Sequence, residues 1–395
     1  MTTEAATSPR LVEWRAPLRY CLTVYVVVRA ALFALGLLAV GLFPGDKPAG
    51  IPGWAAPPLD GGWHQAITAW ERADAQWYLR IASDGYRADD GSGAFFPLYP
   101  MLTRVVGVLT GGHWLLAAYL VSNVAVVVAL VLLFRLTALE LSEAHARRVV
   151  VYACVFPTGF FLFAPYTESL FLALSVGCLY AARRRVWWLA AVLGVLAAAT
   201  RSPGFLLAPA LLVEAVLQRR EDPSVRRLLG RLAAAAAVPL GLVAYLGYWA
   251  VAHDNWRQPF DLQKSGWGKE YAWPWETLWH AGRVAKQFPG SYPGGYFLVD
   301  VVVAAAVLAA GVWVILRVRA TYAVYLWASA LLPLLLMWPA RPLLSVPRLY
   351  VVLFPALWAL SRFAERWRAH DAVLAVSAGL MALLAAAFVS RYPLF

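Results

Sequence analysis

Four ionisable side chains stand inside or beside strongly apolar runs. They are Asp74 in "AWERADAQWYLRIASDGY", Glu168 in "PTGFFLFAPYTESLFLALS", Arg201 in "AAATRSPGFLLAP" and Arg348 in "SVPRLYVVLFP". Charge at membrane depth is costly and usually functional. Arginine is suited to hold a phosphate by a two-pronged hydrogen-bonded contact. The competing explanations are plain solvation at a headgroup for Asp74 and snorkelling to lipid headgroups for the arginines. Acids, arginines and aromatic platforms together point to a lipid-phosphate substrate and a polar acceptor.

The elements that must position these groups are membrane helices. The chain has 395 residues, 62% of them hydrophobic and 14% charged, far too apolar for a soluble protein of this length. The expected fold class is an all-α polytopic membrane protein, a single integral membrane domain over 1–395. Candidate spans are 18–43, 114–137, 149–164, 166–182, 186–199, 204–217, 228–251, 296–316, 320–338, 348–361 and 372–390, with ten to thirteen crossings acceptable. Several are shorter than the roughly 20 residues an upright crossing needs. Breaks are therefore expected around Pro157–Pro165 and Arg201–Pro203, where irregular backbone can line a cavity. The helix starting at Phe95 is expected to lie along the membrane or to enter it only in part.

The net charge of +12 does not indicate nucleic acid, because the basic residues fall in short clusters between apolar runs. The clusters at 147–148, 183–185, 219–231, 317–319 and 362–368 all face the cytoplasm if every candidate crosses, as the positive-inside rule expects, and anionic headgroups account for them. Residues 18–43 follow a short polar leader without a cleavage site, and read as a retained first span with the N-terminus inside. Cys21, Cys154 and Cys178 are dispersed within apolar runs, which fits neither a disulfide framework nor a zinc site.

Two loops remain on the outer side, 44–93 and 252–295. The first carries Asp46, Asp60, Glu71, Asp74, Asp84, Asp89 and Asp90. The second holds Trp256, Trp267, Trp273, Trp275 and Trp279 with no strand alternation, and reads as an aromatic belt or a lipid- or sugar-facing surface. Residues 70–86 read as an amphipathic interfacial helix, with Trp70, Ala73, Trp77 and Ile81 on one face and Asp74 and Tyr78 beside it. "ADD" at 88–90 reads as a flexible turn.

Over nearly its whole length the sequence resembles the PIG-V family of mannosyltransferases, in particular its bacterial members, within the GT-C class of membrane glycosyltransferases. The stretches that carry the resemblance are "ADAQWYLRIASDGY" (73–86), "AFFPLYPML" (94–102), "FPTGFFLFAPYTESLFLAL" (156–174), "AATRSPGFLLAP" (198–209), "SVPRLYVVLFP" (345–355) and, more weakly, "PFDLQKSGWGK" (259–269). The resemblance implies a mannose donor on a polyprenyl or dolichyl phosphate, inverting transfer on the face away from the cytosol of a bacterial plasma membrane, and a functional Asp that maps to Asp74. The family usually has Trp before this Asp, where this chain has Ala73; Trp70, one turn earlier, is the candidate to fill that space. On this reading Asp74 is the general base, Arg201 and Arg348, then Lys269, offset the leaving phosphate, and Glu168 positions the acceptor or holds an arginine. Trp77, Tyr78 and Tyr99 complete the substrate-binding set. No cofactor is implied, and a divalent metal is not expected, because the leaving group is a monophosphate and Asp74 lacks a DxD partner.

Three other readings stand beside this one. A lipid-linked sugar transporter or flippase fits broken helices and intramembrane charge, though no internal repeat is present. A same-fold transferase for arabinose or glucose differs only in the sugar. An assembly protein would be favoured if Asp74, Arg201 and Arg348 lay far apart.

Overall fold

The computed structural model describes residues 9–42, 50–57, 62–287 and 292–392. Asp46, Asp60 and residues 1–8 lie outside the described residues. The chain opens on α1 (Pro9–Leu42), then α2 (Gln65–Thr68), α3 (Asp74–Asp84), α4 (Leu98–Leu109), α5 (Trp114–Glu140), α6 (Glu143–Cys154) and α7 (Glu168–Arg183). It continues through α8 (Trp187–Ala198), α9 (Leu207–Glu221), α10 (Val225–Ala237), α11 (Leu240–His253) and α12 (Gln258–Ser265). A two-residue strand β1 (Glu270–Tyr271) precedes α13 (Pro274–Gln287), α14 (Tyr292–Arg317) and α15 (Ala320–Leu331). After β2 (Leu336–Met337) come α16 (Val346–Tyr350), α17 (Phe354–Arg366) and α18 (His370–Val389).

Among the described residues, five helical stretches are long and apolar enough to cross a membrane: Trp14–Leu42, Trp114–Glu140, Val225–His253, Phe297–Arg317 and His370–Val389. The other expected spans are shorter or broken. The candidate at 149–164 is not one helix, since α6 stops at Cys154 and α7 begins at Glu168. Between them, "FPTGFFLFAPYT" makes a 3-10 turn at Gly159–Leu162, and residues 157–169 are buried throughout. Pro157 and Pro165 deny the helix its amide donors. Gly159 lets the chain double back, since a Cβ there would stand 2.6 Å from the Cys154 carbonyl oxygen. The second expected break also occurs: α8 ends at Ala198, and Pro203 opens a 3-10 turn, Ser202–Leu206.

At that turn the backbones touch, because a Cβ on Gly204 would meet the Ala197 carbonyl oxygen at 2.2 Å. Gly204→Ala is expected to destabilise the protein by about 1–3 kcal/mol through overpacking against backbone, read as a lower melting temperature of the purified protein in detergent.

α4, the short helix expected at the membrane surface, has 12 residues, a length of about 18 Å. It buries Tyr99, Pro100, Thr103 and Gly107 and exposes Met101, Val105, Val108 and Leu109. An exposed apolar face on so short a helix suits a membrane surface.

α3 departs from its expected form. The helix begins at Asp74, not Trp70, because Ala73 takes φ 49°, ψ −123°, a conformation costly for a residue with a Cβ. Residues 75–82 are all buried, so α3 packs against the rest of the protein along most of its length. Trp70 sits in the preceding turn, its ring 5.8 Å from Phe160 and 6.2 Å from Phe388. The "ADD" turn is also fixed: Asp90 accepts from the Ser92 amide at 2.7 Å and pairs with the fully buried Arg80. The 252–295 loop does contain a strand, β1, paired antiparallel to β2 through Glu270–Met337 and Tyr271–Leu336.

The far end of α7 carries a second charge network. Arg183 donates to Glu140 at 2.5 Å, and Tyr322 donates to the same carboxylate at 2.8 Å. Fully buried Glu214 accepts from Arg319 at 2.8 and 3.1 Å, from Thr321 at 2.7 Å and from Gln218 at 2.7 Å. Two basic residues expected only as surface charges thereby tie α5, α7, α9 and α15 together. Sixteen helical residues place this lock about 24 Å from Glu168.

Candidate active site

Each of the four charged side chains sits where a helix starts or breaks. Asp74 and Glu168 are the first residues of α3 and α7, where the helix dipole favours a carboxylate. Arg201 stands in extended backbone just after α8. Arg348 lies in α16, whose N-cap, Ser345, has φ 65°. Positive φ at both Ala73 and Ser345 is backbone strain stored beside the charged groups.

The buried 157–167 segment brings these ends together. Thr158 donates to the Pro347 carbonyl at 2.9 Å, holding α16. Tyr166 donates through its hydroxyl to the Arg72 carbonyl at 2.7 Å, holding the turn before Asp74. Its ring lies 4.6 Å from the Arg348 guanidinium, and the Phe161 ring lies 4.9 Å away, a cation–π cradle. Nothing in residue type alone marked Thr167, Tyr166 or Thr158 as partners; their only signal was membership of an apolar stretch that carries a glutamate.

Arg348 is the centre of the cluster. It donates through Nη1 to Asp74 Oδ2 at 2.5 Å and through Nε to Glu168 Oε1 at 2.6 Å. Arg201 donates to the same Glu168 oxygen and, at 3.0 Å, to Thr167 Oγ1. Tyr78 OH lies 3.5 Å from Thr167 Oγ1. Glu168 thus holds both arginines, while its Oε2 is buried with no hydrogen-bond partner among the described residues. Glu168 is fully buried, whereas the Asp74 side chain is 27% exposed. Asp74 is the acid that an incoming molecule can reach.

The second outer loop contributes Lys269. It donates to Gln263 Oε1 at 2.9 Å, and the β1–β2 pairing anchors the chain beside it. Burial pushes the Lys269 ammonium below the usual lysine range, Asp74 opposes that shift and Arg348 adds to it. Lys269 therefore shares an electrostatic field with Asp74 and Arg348. Two expected residues stand behind the cluster. Trp77 stacks on Phe95 at 5.5 Å, and Trp267 meets that Phe95 ring edge-on at 6.0 Å. Tyr99 is fully buried, bonded to Ser122 at 2.8 Å and Ala118 at 3.1 Å, and supports the Tyr78 ring edge-on at 5.1 Å. Its hydroxyl does not reach the charged cluster.

The arrangement can hold an anion against arginine and lysine while presenting a carboxylate to a hydroxyl. Among the described residues, no group of three or more His, Cys, Asp or Glu side chains is placed to hold a metal ion.

The architecture is that of a multi-pass GT-C membrane glycosyltransferase. ArnT from Cupriavidus metallidurans bound to undecaprenyl phosphate shares the fold with a TM-score of 0.52 at 14% identity, over 90% of this chain and 63% of ArnT. Its apo form gives 0.51 at 14% identity, over 88% and 61%. The oligosaccharyltransferase of Archaeoglobus fulgidus aligns at 13% identity with a TM-score of 0.45, over 93% of this chain and 53% of that one. The chain thus spans less than two thirds of the length of these proteins. The chain belongs to the mannosyltransferase (PIG-V) family, whose profile matches residues 22–221, just over half of it. No curated protein matches the sequence.

Proposed function

We propose that this protein is an inverting mannosyltransferase that moves mannose from a polyprenyl-phosphate carrier to a hydroxyl of a lipid, glycan or protein on the extracytoplasmic face of a bacterial plasma membrane, with its N-terminus cytoplasmic. The observation that carries the reading is one contiguous cluster of Asp74, Glu168, Arg201 and Arg348, with Lys269 in the same electrostatic field. Two carboxylates against three cations leave one net positive charge, which matches a phosphodiester donor carrying one negative charge. The family match supports the sugar, and ArnT with undecaprenyl phosphate supports the carrier.

The acceptor hydroxyl attacks the anomeric carbon as the bond to the phosphate oxygen breaks. Asp74 takes the hydroxyl proton through Oδ1, since Oδ2 is held by Arg348. Polyprenyl phosphate departs with the bonding electron pair and one more negative charge. Lys269, bonded to a neutral glutamine, and Arg201 offset that charge. Arg348 serves chiefly to keep Asp74 aimed, through its contact to Oδ2. Glu168 keeps both guanidiniums in place. Trp77 acts through Phe95, and Tyr99 through Tyr78. We assign no metal to any step, because the leaving group is a monophosphate whose charge the neighbouring cations can offset.

The test is transfer of radiolabelled mannose from polyprenyl-phosphate-mannose to a native lipid extract by purified protein in nanodiscs. Label should enter a new product, and EDTA should leave the rate unchanged; loss of transfer in EDTA, restored by a divalent ion, would place a metal in the reaction. Donor that is bound and carried across the bilayer without transfer would establish the transporter reading instead. Arabinose- or glucose-bearing carriers test the same-fold alternatives.

Lys269→Gln should raise the donor KM about tenfold, the loss of one charge-assisted contact to phosphate. In the wild type, the rate should fall as pH rises through the lowered Lys269 pKa, because the cation is lost earlier than from an ordinary lysine. Lys269→Arg should move that alkaline limb to higher pH. An unchanged limb would remove Lys269 from donor binding.

A further inference from the structure

At the end of the bundle that carries Arg183, far from Asp74, a groove of about 960 Å³ opens between the start of α8 and the length of α10. Its rim carries Arg185, Arg226, Arg227 and Arg231, together with Trp187 and Trp188. One acid faces it: Asp222 accepts from Arg231 at 2.8 Å and Arg227 at 3.0 Å. Glu221 draws on Arg185 from the side at 2.7 Å. Four guanidiniums against two carboxylates leave two positive charges. Arg231 is only 3% exposed, yet its Nη1 has no hydrogen-bond partner among the described residues. A buried unpaired guanidinium donor is costly unless a ligand satisfies it. The first turns of α8 and α10 lie at the same mouth and add their positive dipole ends.

The floor is apolar, formed by Ala191, Ala233, Ala234 and Ala237. Around it Trp188, Val192, Val225 and Leu229 are exposed, so the groove runs into apolar surface instead of ending in polar residues. We infer that this groove is a binding site for the phosphate headgroup and one acyl chain of an anionic glycerophospholipid. The headgroup phosphate bonds Arg231 Nη1 and the flanking Arg226 and Arg227, the indoles sit at headgroup depth, and the chain lies on the alanine floor. This site is separate from the transfer reaction and holds whether or not that proposal does.

The full-length protein in neutral detergent is tested by native mass spectrometry and thermal shift against phosphatidylglycerol, phosphatidylcholine and inorganic phosphate. Wild type should retain phosphatidylglycerol about tenfold over phosphatidylcholine, in keeping with basic contacts worth about tenfold or less each. Arg226→Gln with Arg227→Gln should abolish the preference. Gly230→Leu should do the same without changing charge: a Cβ at Gly230 meets nothing within 4 Å, and leucine favours the helix, so the side chain fills the groove and leaves the fold intact. Arg366→Gln with Arg368→Gln, in a different basic cluster, should retain the preference. The inference fails if Gly230→Leu keeps full selectivity, or if the Arg366/Arg368 control loses as much as the groove variant. It fails equally if inorganic phosphate stabilises the protein as well as the lipid does, since the site would then take a soluble anion.

Discussion

Asp74→Asn should lower the turnover of mannosyl transfer about a thousandfold while leaving donor affinity within about threefold. The amide oxygen of asparagine can still accept from Arg348 Nη1, which now reaches Asp74 at 2.5 Å. The cluster therefore keeps its geometry and loses only the group that takes a proton. Burial of residues 75–82 fixes the helix that carries the side chain, so local unfolding is not expected to contribute. The measurement is single-turnover transfer beside equilibrium binding of the labelled donor. Equal losses in binding and turnover would instead make residue 74 a holder of Arg348, and the proton would have to leave by another route. Glu168 is the other carboxylate that Arg348 holds, but it is fully buried.

Glu168→Gln should have the largest structural effect of any single change at the site. One carboxylate oxygen accepts from both Arg201 and Arg348, and its side chain is wholly shielded from solvent. Removing that charge leaves two guanidiniums facing each other with less compensation. Breaking a buried ion pair costs about 3–5 kcal/mol, enough to lower the melting temperature by roughly 5 °C or more. Turnover should fall as well, because Arg348 would no longer be held against Asp74. Glu214→Gln, in the lock at the other end of α7, is the control: a comparable loss of stability with donor binding intact. If Glu168→Gln melts with the wild type, the two arginines are held by something other than this carboxylate.

Much of this organisation was legible from residue types. Apolar runs marked the helical membrane class, because a chain this poor in polar residues has no other stable way to satisfy its backbone. Prolines 157, 165 and 203 located both breaks, since the loss of an amide donor is a local property. The charges at 74, 168, 201 and 348 stood out because each interrupts an apolar pattern, and all four belong to one cluster, which removes the condition favouring the assembly reading. Other features depended on distant packing. Periodicity extended α3 back to Trp70, but the φ of Ala73 ends the helix, and that angle is imposed by neighbours such as Tyr166 bonded at Arg72. The apolar pattern did not show how the shorter runs divide, because a 12-residue apolar segment reads the same whether it ends in a turn or continues as one long helix.

By itself, then, the sequence determined the fold class, the family resemblance and the set of groups able to do chemistry. These follow from composition and short-range pattern. Only the tertiary structure decided that Arg348 meets Asp74 across 274 residues of chain, that Glu168 serves both arginines, and that Lys269 arrives on a strand pairing to share their field. Ion pairing in a low-dielectric interior depends on distances of a few ångströms. Helix packing sets those distances, and no local spacing in the chain encodes them.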